Sequence, residues 1–288
     1  MERKTILITG STNGIGKATA KALAQEGHFI IVHGRDKLRT QAVCEEIKSA
    51  TGNNNVDMLL ADLFLLSDVK RMAIEFKKKY DRLDVLINNA GAVFGKDRET
   101  TKEGLEKTMT LNLFAPFLLT ELLLDVLAKS PAARIINVSS AAHAIRSEPD
   151  LGDIQLEKNY SFIRAYGLSK LYIIWVTRHL VAELKEKGLE HITANSLHPG
   201  VIASEFGKSS NIKFVSLLTK LMRPFLLTRE QGAETTIYLA VSKDVENVTG
   251  KYFAKKKVAK ESIKHYSPEN EKIVWDYCKK IVEPYLSN

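Results

Sequence analysis

Short runs of apolar, β-branched residues alternate along the chain with longer segments in which apolar residues recur at the helical period. The short runs predict strands at residues 6–9, 29–32, 56–61, 85–88, 134–139 and 193–197. The longer segments predict helices at residues 18–25, 38–49, 67–80, 108–127 and 165–187. Strands that are continuously apolar and alternate with helices form a parallel sheet covered on both faces. The pattern therefore predicts an α/β protein with a doubly wound parallel sheet.

A doubly wound, Rossmann-like sheet binds its ligands at the carboxyl ends of its strands. The length of 288 residues allows one large core, and no Pro/Gly-rich or repetitive stretch separates two parts of the chain. We expect a single domain over residues 1–288. Its cofactor half should extend over about 1–140, and its catalytic and substrate-binding part over about 141–288.

The chain is basic, with 42 Lys and Arg residues against 34 Asp and Glu residues and a formal net charge of +8. This excess suits an anionic ligand such as a dinucleotide, and equally a weak attraction to anionic membranes or nucleic acid. The basic runs at 77–79 and 255–257 have no interleaved aromatic residues and match no DNA-binding motif. We interpret them as solvated surfaces and expect no nucleic-acid partner.

The two cysteines, Cys44 and Cys278, lie far apart and belong to no C-x-x-C or His/Cys cluster. This spacing argues against a disulfide framework, a zinc site and thiol catalysis, and it fits a reducing compartment. A short strand follows the first four residues directly, and no uninterrupted apolar run reaches 18 residues. We expect a cytoplasmic protein without a transmembrane segment, and leave peripheral membrane contact open.

A glycine-rich turn follows the first predicted strand and leads directly into a helix. It reads Thr9-Gly10-Ser11-Thr12-Asn13-Gly14-Ile15-Gly16, a G-x-x-x-G-x-G spacing. Glycines allow a tight turn and a close approach of the backbone to a pyrophosphate, which the amides at the start of the helix can bind. A turn without a ligand is the simpler alternative, but three glycines at this point of a βαβ unit favour the dinucleotide.

This turn resembles the cofactor turn of the short-chain dehydrogenases/reductases, and further motifs of that family follow in the same order, over about residues 5–253. They are Asp62, Asn88-Asn89-Ala90-Gly91, Asn112, Ser139-Ser140, Tyr166 with Lys170, and Pro199-Gly200. Within the family the chain is most similar to the retinol-dehydrogenase-like reductases. This similarity rests on His33-Gly34-Arg35-Asp36, Arg164-Ala165-Tyr166, Ser169-Lys170, His198-Pro199-Gly200 and the stretch from Gly232-Ala233 to Gly250-Lys251-Tyr252-Phe253.

The resemblance implies an oxidoreductase that transfers a hydride between NADP(H) and a small-molecule alcohol or carbonyl substrate. The retinol-dehydrogenase-like reductases, which the chain most resembles, act on apolar aldehydes, ketones and retinoid-like compounds. Many members have an N-terminal membrane anchor; we expect none here, so membrane residence and a retinoid substrate do not follow from the resemblance alone. Family members commonly pair through their helices, so a homodimer is one arrangement to expect. The loops at 142–163 and 201–227, which would select the substrate, cannot be derived from one sequence.

The resemblance also implies the cofactor-binding residues. Asp62 should meet the adenine, Asn89, Ala90 and Gly91 the ribose side, and Val138 the nicotinamide. Taken alone, Asp62 could instead cap a helix and Asn89 could be a turn residue. The full set is Gly10, Ser11, Thr12, Asn13, Gly14, Ile15, Gly16, Arg35, Asp62, Leu63, Asn89, Ala90, Gly91, Val138, Tyr166, Lys170, Pro199, Gly200, Val201 and Ser204.

Tyr166 and Lys170 are four residues apart on a predicted helix, so both side chains emerge on one face. A nearby ammonium favours the charged form of a phenol, so we expect a lowered pKa for Tyr166. By the resemblance, Tyr166 is the proton donor and acceptor, and Lys170 binds the nicotinamide ribose. Any isolated Y-x-x-x-K is more often an ordinary pair on an amphipathic helix.

Ser140 follows a strand whose carboxyl end faces the expected crevice, where a hydroxyl can polarise a substrate carbonyl. The family pattern selects Ser140 over its neighbour Ser139. Asn112 resembles the asparagine that holds a water beside the lysine, although it could be a buried structural residue. His143 could line the substrate cavity or lie in a surface loop, and it stays outside the catalytic set.

Arg35, after the second strand, resembles the arginine that binds the 2′-phosphate of NADP, and Lys17 and Arg39 could add positive charge. Asp36 lies where an NAD-selecting acid could stand, but we interpret it as the start of the next helix. A dinucleotide sensor or scaffold is the alternative function, although it would not need all four catalytic side chains. Residues 211–227 have amphipathic spacing that predicts a lid, a packed surface helix or a membrane-touching face.

Overall fold

The computed structural model describes residues 2–145, 148–200 and 227–287. Its sheet has eight strands in the order β3-β2-β1-β4-β5-β6-β7-β8, and all neighbours are parallel except β7 and β8. The strands are β1 (Thr5–Ile8), β2 (Phe29–Gly34), β3 (Val56–Leu60), β4 (Val85–Asn88), β5 (Arg134–Val138), β6 (Thr193–Leu197), β7 (Tyr252–Ala254) and β8 (Lys257–Val258). The predicted fold class is confirmed.

Seven helices cover this sheet in the described parts of the chain. They are α1 (Gly14–Gln25), α2 (Lys37–Thr51), α3 (Leu66–Lys79), α4 (Lys107–Leu127), α5 (Phe162–Glu186), α6 (Arg229–Val241) and α7 (Pro268–Leu286). All six predicted strands and all five predicted helices are present, with ends that differ by up to four residues. The sequence pattern did not predict α6, α7, β7 or β8.

The side chains of each inner strand alternate between two apolar layers. Leu7 and Leu86 belong to the layer that includes residues of α3, α4, α5 and α7. Ile6 and Ile8 belong to the layer with residues of α1, α2 and α6. Because both faces are covered, the strands are apolar throughout rather than alternating with polar residues, as parallel sheets require.

Helix α4 is long and apolar enough to cross a membrane by length and composition, and it is the one such helix in the described ranges. Of the most apolar 18-residue stretch of this helix, 83% is buried inside the protein. A core helix of a water-soluble domain has this same character.

The order of the strands reverses between β1 and β4, because β2 and β3 lie to one side of β1 and the later strands to the other. Loops that leave β1 and β4 at their carboxyl ends therefore diverge and leave a crevice between them. The glycine turn follows β1, and Asn89-Ala90-Gly91 follows β4. The fold thus places these two predicted cofactor segments side by side.

Candidate active site

The glycine turn has a backbone that side chains would disrupt. Gly10 and Gly14 have φ angles of +63° and +59°, in the left-handed region that favours glycine. A Cβ on Gly16 would lie 2.4 Å from Asn89 Nδ2 and 2.6 Å from the carbonyl oxygen of Gly10. Asn13 caps α1 by accepting a hydrogen bond from the Gly14 N–H. The turn leaves room at the positive end of α1, where a pyrophosphate can approach the backbone.

Asn89 joins the loop after β4 to this turn. Its Nδ2 donates to the carbonyl oxygens of Thr9 and Gly10, at 2.9 and 3.3 Å. The Thr9 hydroxyl accepts hydrogen bonds from the N–H groups of Asn89 and Ala90, both at 3.0 Å. The amide of Asn89 therefore fixes the two loops that border the crevice.

His33 makes a second connection that the sequence analysis did not identify. This buried side chain accepts a hydrogen bond from the Gly10 N–H at Nδ1, at 3.0 Å. Its Nε2 lies 3.2 Å from the carbonyl oxygen of Ala61, so the neutral ring donates from Nε2. Burial lowers the pKa of His33 from 6.5 to about 4. A polar ring inside an apolar strand was the available signal, since such a group must find partners.

Arg35 is exposed directly after β2. A Cβ on Gly34 would lie 2.5 Å from Cγ2 of Thr12, so the end of β2 packs closely against the glycine turn. Asp36 caps α2 by accepting from the Arg39 N–H at 2.7 Å, which confirms its interpretation as the start of a helix. The ammonium of Lys17 pairs with Glu46 at 2.6 Å, so part of the expected positive charge is neutralised.

Asp62 lies after β3, and its Oδ1 accepts a hydrogen bond from the Phe64 N–H at 3.1 Å. Helix α3 begins four residues later, at Leu66, and the carboxylate of Glu103 accepts from the N–H groups at its start. Asp62 is therefore not the cap of that helix. It lies at the carboxyl edge of the sheet after β3, and its contact with an adenine stays a prediction.

Asn112 lies in a π-helical segment, Thr110–Phe114, inside α4. Its Oδ1 accepts from the Ala92 N–H, and its Nδ2 donates to the Ala92 carbonyl oxygen and to the Ser169 hydroxyl, at 3.0 to 3.1 Å. Widened turns of this kind occur often at functional sites. The side chain holds the loop after β4 against α5.

Lys170 is buried and donates from Nζ to the carbonyl oxygen of Val138, at 2.9 Å. A Cβ on Gly91 would lie 3.0 Å from both Lys170 Nζ and Asn112 Oδ1. Burial lowers the pKa of Lys170 to about 8. The structure thus brings Gly91, Asn112, Val138 and Lys170 together.

Tyr166 lies one helical turn before Lys170, and the ammonium lies 5.7 Å from the centre of its ring. Burial raises the pKa of Tyr166 to about 12, and a hydrogen bond with the Ser140 side chain acts in the opposite direction. The expected lowering of this pKa by the ammonium is therefore wrong for the protein alone, because desolvation of the phenolate outweighs the favourable contacts. The positive charge of an oxidised nicotinamide would favour the phenolate.

The two neighbouring serines face different surroundings. Ser139 is buried, and its hydroxyl donates to the carbonyl oxygen of Lys170 at 2.7 Å. Ser140 is half-buried, and its hydroxyl accepts from the Ala142 N–H at 3.2 Å and bonds to Tyr166. Ser140 is thus the serine that shares its surroundings with the tyrosine.

Pro199 and Gly200 follow β6, and Gly200 has a φ of +89°. Val201 and Ser204, and the predicted lid at 211–227 apart from Leu227, lie outside the described residues. His143 is 4% exposed, so it is not the surface-loop histidine that was one of its two interpretations. Within the described residues, no group of three His, Cys, Asp or Glu side chains could hold a metal ion.

Most predicted site residues therefore lie along the carboxyl edge of β1 to β5. The glycine turn, Gly91 and Lys170 leave backbone space and donors for a dinucleotide, and Tyr166 with Ser140 provides a proton-carrying hydroxyl pair beside them. This donor set fits a nicotinamide dinucleotide and a substrate oxygen.

Comparison with known proteins agrees with this geometry. Residues 4–213 match the model of the family described as short chain dehydrogenase. Retinol dehydrogenase 12 of Mus musculus is 38% identical over 251 residues, which cover 87% of this chain and 77% of that protein. Polyprenol dehydrogenase of Homo sapiens is 36% identical over 278 residues, 94% of this chain and 83% of that protein.

Solved structures have the same fold. An uncharacterized protein from Mycobacterium paratuberculosis is 25% identical, with a TM-score of 0.77 and coverage of 97% of this chain and 93% of that one. The active-site complex of RhlG with NADP from Pseudomonas aeruginosa is 27% identical, with a TM-score of 0.68 and coverage of 86% and 93%.

Proposed function

Because the chain belongs to the short-chain dehydrogenase family and is thus an oxidoreductase acting on CH–OH groups with NAD(P)(H), we propose that it uses NADP(H) to interconvert an apolar alcohol and its carbonyl compound. The observation that carries the proposal is the group formed by Ser140, Tyr166 and Lys170 at the carboxyl edge of the sheet. These three side chains meet where the fold also provides a dinucleotide turn.

In the proposed reaction, the bound nicotinamide supplies or accepts the hydride. The Tyr166 hydroxyl gives a proton to the substrate oxygen or takes one from it. The Ser140 hydroxyl donates a hydrogen bond to that oxygen, where negative charge develops. Lys170 holds its ammonium beside the tyrosine, and Asn112 keeps the surrounding loop in place.

The similar proteins support an apolar substrate. They include retinol dehydrogenases and a polyprenol dehydrogenase, whose names indicate apolar alcohols. A retinoid-like or polyprenol-like alcohol, aldehyde or ketone is the class that we propose.

The choice of NADP(H) is supported by Arg35, whose guanidinium follows β2 and is exposed to solvent. A guanidinium can bind a 2′-phosphate through two parallel hydrogen bonds. The formal net charge of +8 also favours the more anionic dinucleotide. The RhlG structure of similar fold contains NADP.

The purified chain tests the proposal in a spectrophotometric assay of NADPH oxidation with a panel of retinal, long-chain aldehydes and apolar ketones. We expect carbonyl-dependent oxidation, and Tyr166→Phe should reduce it by about 100-fold or more because it removes the transferable proton. Affinity for NADPH, measured by fluorescence titration, should change by no more than a few-fold. Tyr80→Phe is the matched control, since the Tyr80 hydroxyl donates to Asp57 Oδ2 near the amino end of β3, away from the site, and it should keep its activity.

A dinucleotide sensor or scaffold of the same fold is the other candidate function. It would bind NADPH without oxidising it in the presence of any carbonyl compound in the panel. Dinucleotide binding with no turnover, or full turnover by Tyr166→Phe, would contradict the proposed reaction.

A further inference from the structure

His143 lies three residues after Ser140 in a short 3-10 turn, Ala141–Ala144, and is buried. Its Nδ1 is 2.7 Å from the carbonyl oxygen of Ser140, and its own backbone N–H donates to the same oxygen at 3.1 Å. The peptide group that follows Ser140 is therefore held by two contacts from one residue. Fixing this peptide plane fixes the backbone angle ψ of Ser140, and the backbone angles restrict the rotamers that place the Ser140 hydroxyl.

The other ring nitrogen of His143 determines where the proton lies. Nε2 is 3.0 Å from the backbone nitrogen of Ser262, and a backbone N–H can only donate. Nε2 must therefore accept, so the neutral ring carries its hydrogen on Nδ1 and donates it to the Ser140 carbonyl oxygen. Burial lowers the pKa of His143, which favours this neutral form, and the bond to Ser140 acts in the opposite direction.

The environment of the ring keeps it in this orientation. Tyr252 of β7 packs edge-on against His143 with ring centres 5.0 Å apart, and its hydroxyl is 3.5 Å from Nδ1. Glu261, next to Ser262, forms an ion pair with Arg178 of α5. The Ser262 N–H that donates to His143 thus belongs to a segment that is itself anchored to α5, the helix that carries Tyr166 and Lys170.

We propose that His143 is a positioning residue of the active site, which holds the Ser140 hydroxyl in line with Tyr166 through the Nδ1–H donated to the Ser140 carbonyl oxygen. This inference rests on the proposed dehydrogenase function. In the proposed reaction His143 contacts neither the substrate nor the cofactor. The hydrogen bond that His143 Nε2 accepts from Ser262 sets the tautomer, and this tautomer leaves Nδ1–H available to donate to Ser140.

Two amide substitutions test the hydrogen bond of Nδ1 to Ser140 and that of Nε2 with Ser262 separately. The side-chain amide of Asn can place a donor near the position of Nδ1, whereas the amide of Gln reaches the position of Nε2. His143→Asn thus keeps a donor for Ser140, His143→Gln keeps an acceptor for Ser262, and His143→Leu keeps neither. Because small misplacements of a catalytic group are costly, we expect His143→Leu and His143→Gln to lower kcat by about 10-fold to 100-fold.

His143→Asn should restore kcat to within a few-fold of the wild type, and KM for NADPH should stay unchanged in all three variants. A role in packing alone would instead make Gln, the larger amide, the better replacement. Equal kcat for Asn and Gln, or a change confined to KM for NADPH, would overturn the proposal.

A double-mutant cycle tests whether the effect passes through the serine. In a Ser140→Ala background, His143→Leu should cause no further loss of kcat, and an additive loss would contradict the proposed route. If the wild-type chain oxidises no NADPH with any carbonyl compound, the proposed function fails instead.

The imidazole tautomer can be measured without turnover, by ¹⁵N NMR of the histidine-labelled wild-type chain. We expect the hydrogen of His143 on Nδ1. A hydrogen on Nε2 at neutral pH would overturn the proposal whatever the activity or the folding of the variants.

Discussion

Ser139 and Ser140 are neighbours in the chain, but their hydroxyl groups lie in different environments. The Ser139 hydroxyl is satisfied by the Lys170 carbonyl oxygen inside the protein. The Ser140 hydroxyl lies at the start of a 3-10 turn and contacts Tyr166. Since successive residues of an extended chain point to opposite sides, only one of two neighbouring serines can face the crevice.

This difference predicts opposite phenotypes for two equally small changes. Ser140→Ala should lower kcat by about 100-fold or more, because a donor to the developing oxyanion is lost. Ser139→Ala should keep kcat within a few-fold and instead lose about 1 kcal/mol of stability, since one buried hydrogen bond disappears. Steady-state kinetics with the best carbonyl substrate and urea unfolding measure the two effects. The reverse order of the kinetic losses would show that the serines have been assigned the wrong way round.

The order of helices and strands was predictable because the parallel sheet needs continuously apolar strands, and those runs are visible in the sequence. Helix α6 was missed because it contains Gly232 and two threonines, Thr235 and Thr236, and its apolar residues have weak amphipathic spacing. Strands β7 and β8 were missed because they have three and two residues, too short to show a period. Such short strands form because they pair with neighbouring strands in the folded protein, and no local sequence pattern specifies them.

The sequence did not predict the hydrogen bonds that join separate loops of the site. The family pattern placed Tyr166, Lys170 and Ser140 in order, but not the hydrogen bonds of His33 to Gly10 and of His143 to Ser262. These bonds join residues 23 and 119 positions apart, and nothing in the local pattern specifies such partners.

The junction of β2 and α2 makes the cofactor preference testable. Asp36 is engaged as the cap of α2, and Arg35 is exposed directly after β2, where its guanidinium can meet a 2′-phosphate. We expect the wild type to have a higher kcat/KM with NADPH than with NADH. Arg35→Ala should reduce that preference by about 10-fold or more, because a charge-assisted bidentate contact contributes roughly 1.5 to 3 kcal/mol.

Lys37→Ala removes an exposed cation two residues away and serves as the control for a general loss of positive charge. It should leave the NADPH preference nearly unchanged. A native preference for NADH, or a preference for NADPH that Arg35→Ala does not diminish, would contradict the assignment of Arg35.

At the scale of the whole molecule, buried histidines connect the folding equilibrium to pH. His33 is 3% exposed and spans from the glycine turn to the end of β3, through Gly10 and Ala61. The bond to Gly10 requires the neutral ring, because Nδ1 must accept from the Gly10 N–H, whereas Nε2–H can donate to the Ala61 carbonyl oxygen in either state. Protonation would bring two donors together inside the sheet, at the edge where the dinucleotide turn begins.

The pKa of His33 is lowered by burial from 6.5 to about 4, so the unfolded chain binds a proton at this residue more readily than the folded chain. The stability that depends on the neutral ring is fully present above pH 6.5 and is lost as the pH falls from 6.5 towards 4. Between pH 7.5 and pH 5, this loss amounts to about 2 kcal/mol. His33→Asn cannot titrate here and keeps an acceptor for the Gly10 N–H, so its unfolding free energy should fall by about 2 kcal/mol less than that of the wild type over the same interval. Urea unfolding at both pH values measures the difference, and other histidines cancel because both proteins contain them. Parallel pH dependences would show that His33 does not titrate as a buried neutral residue.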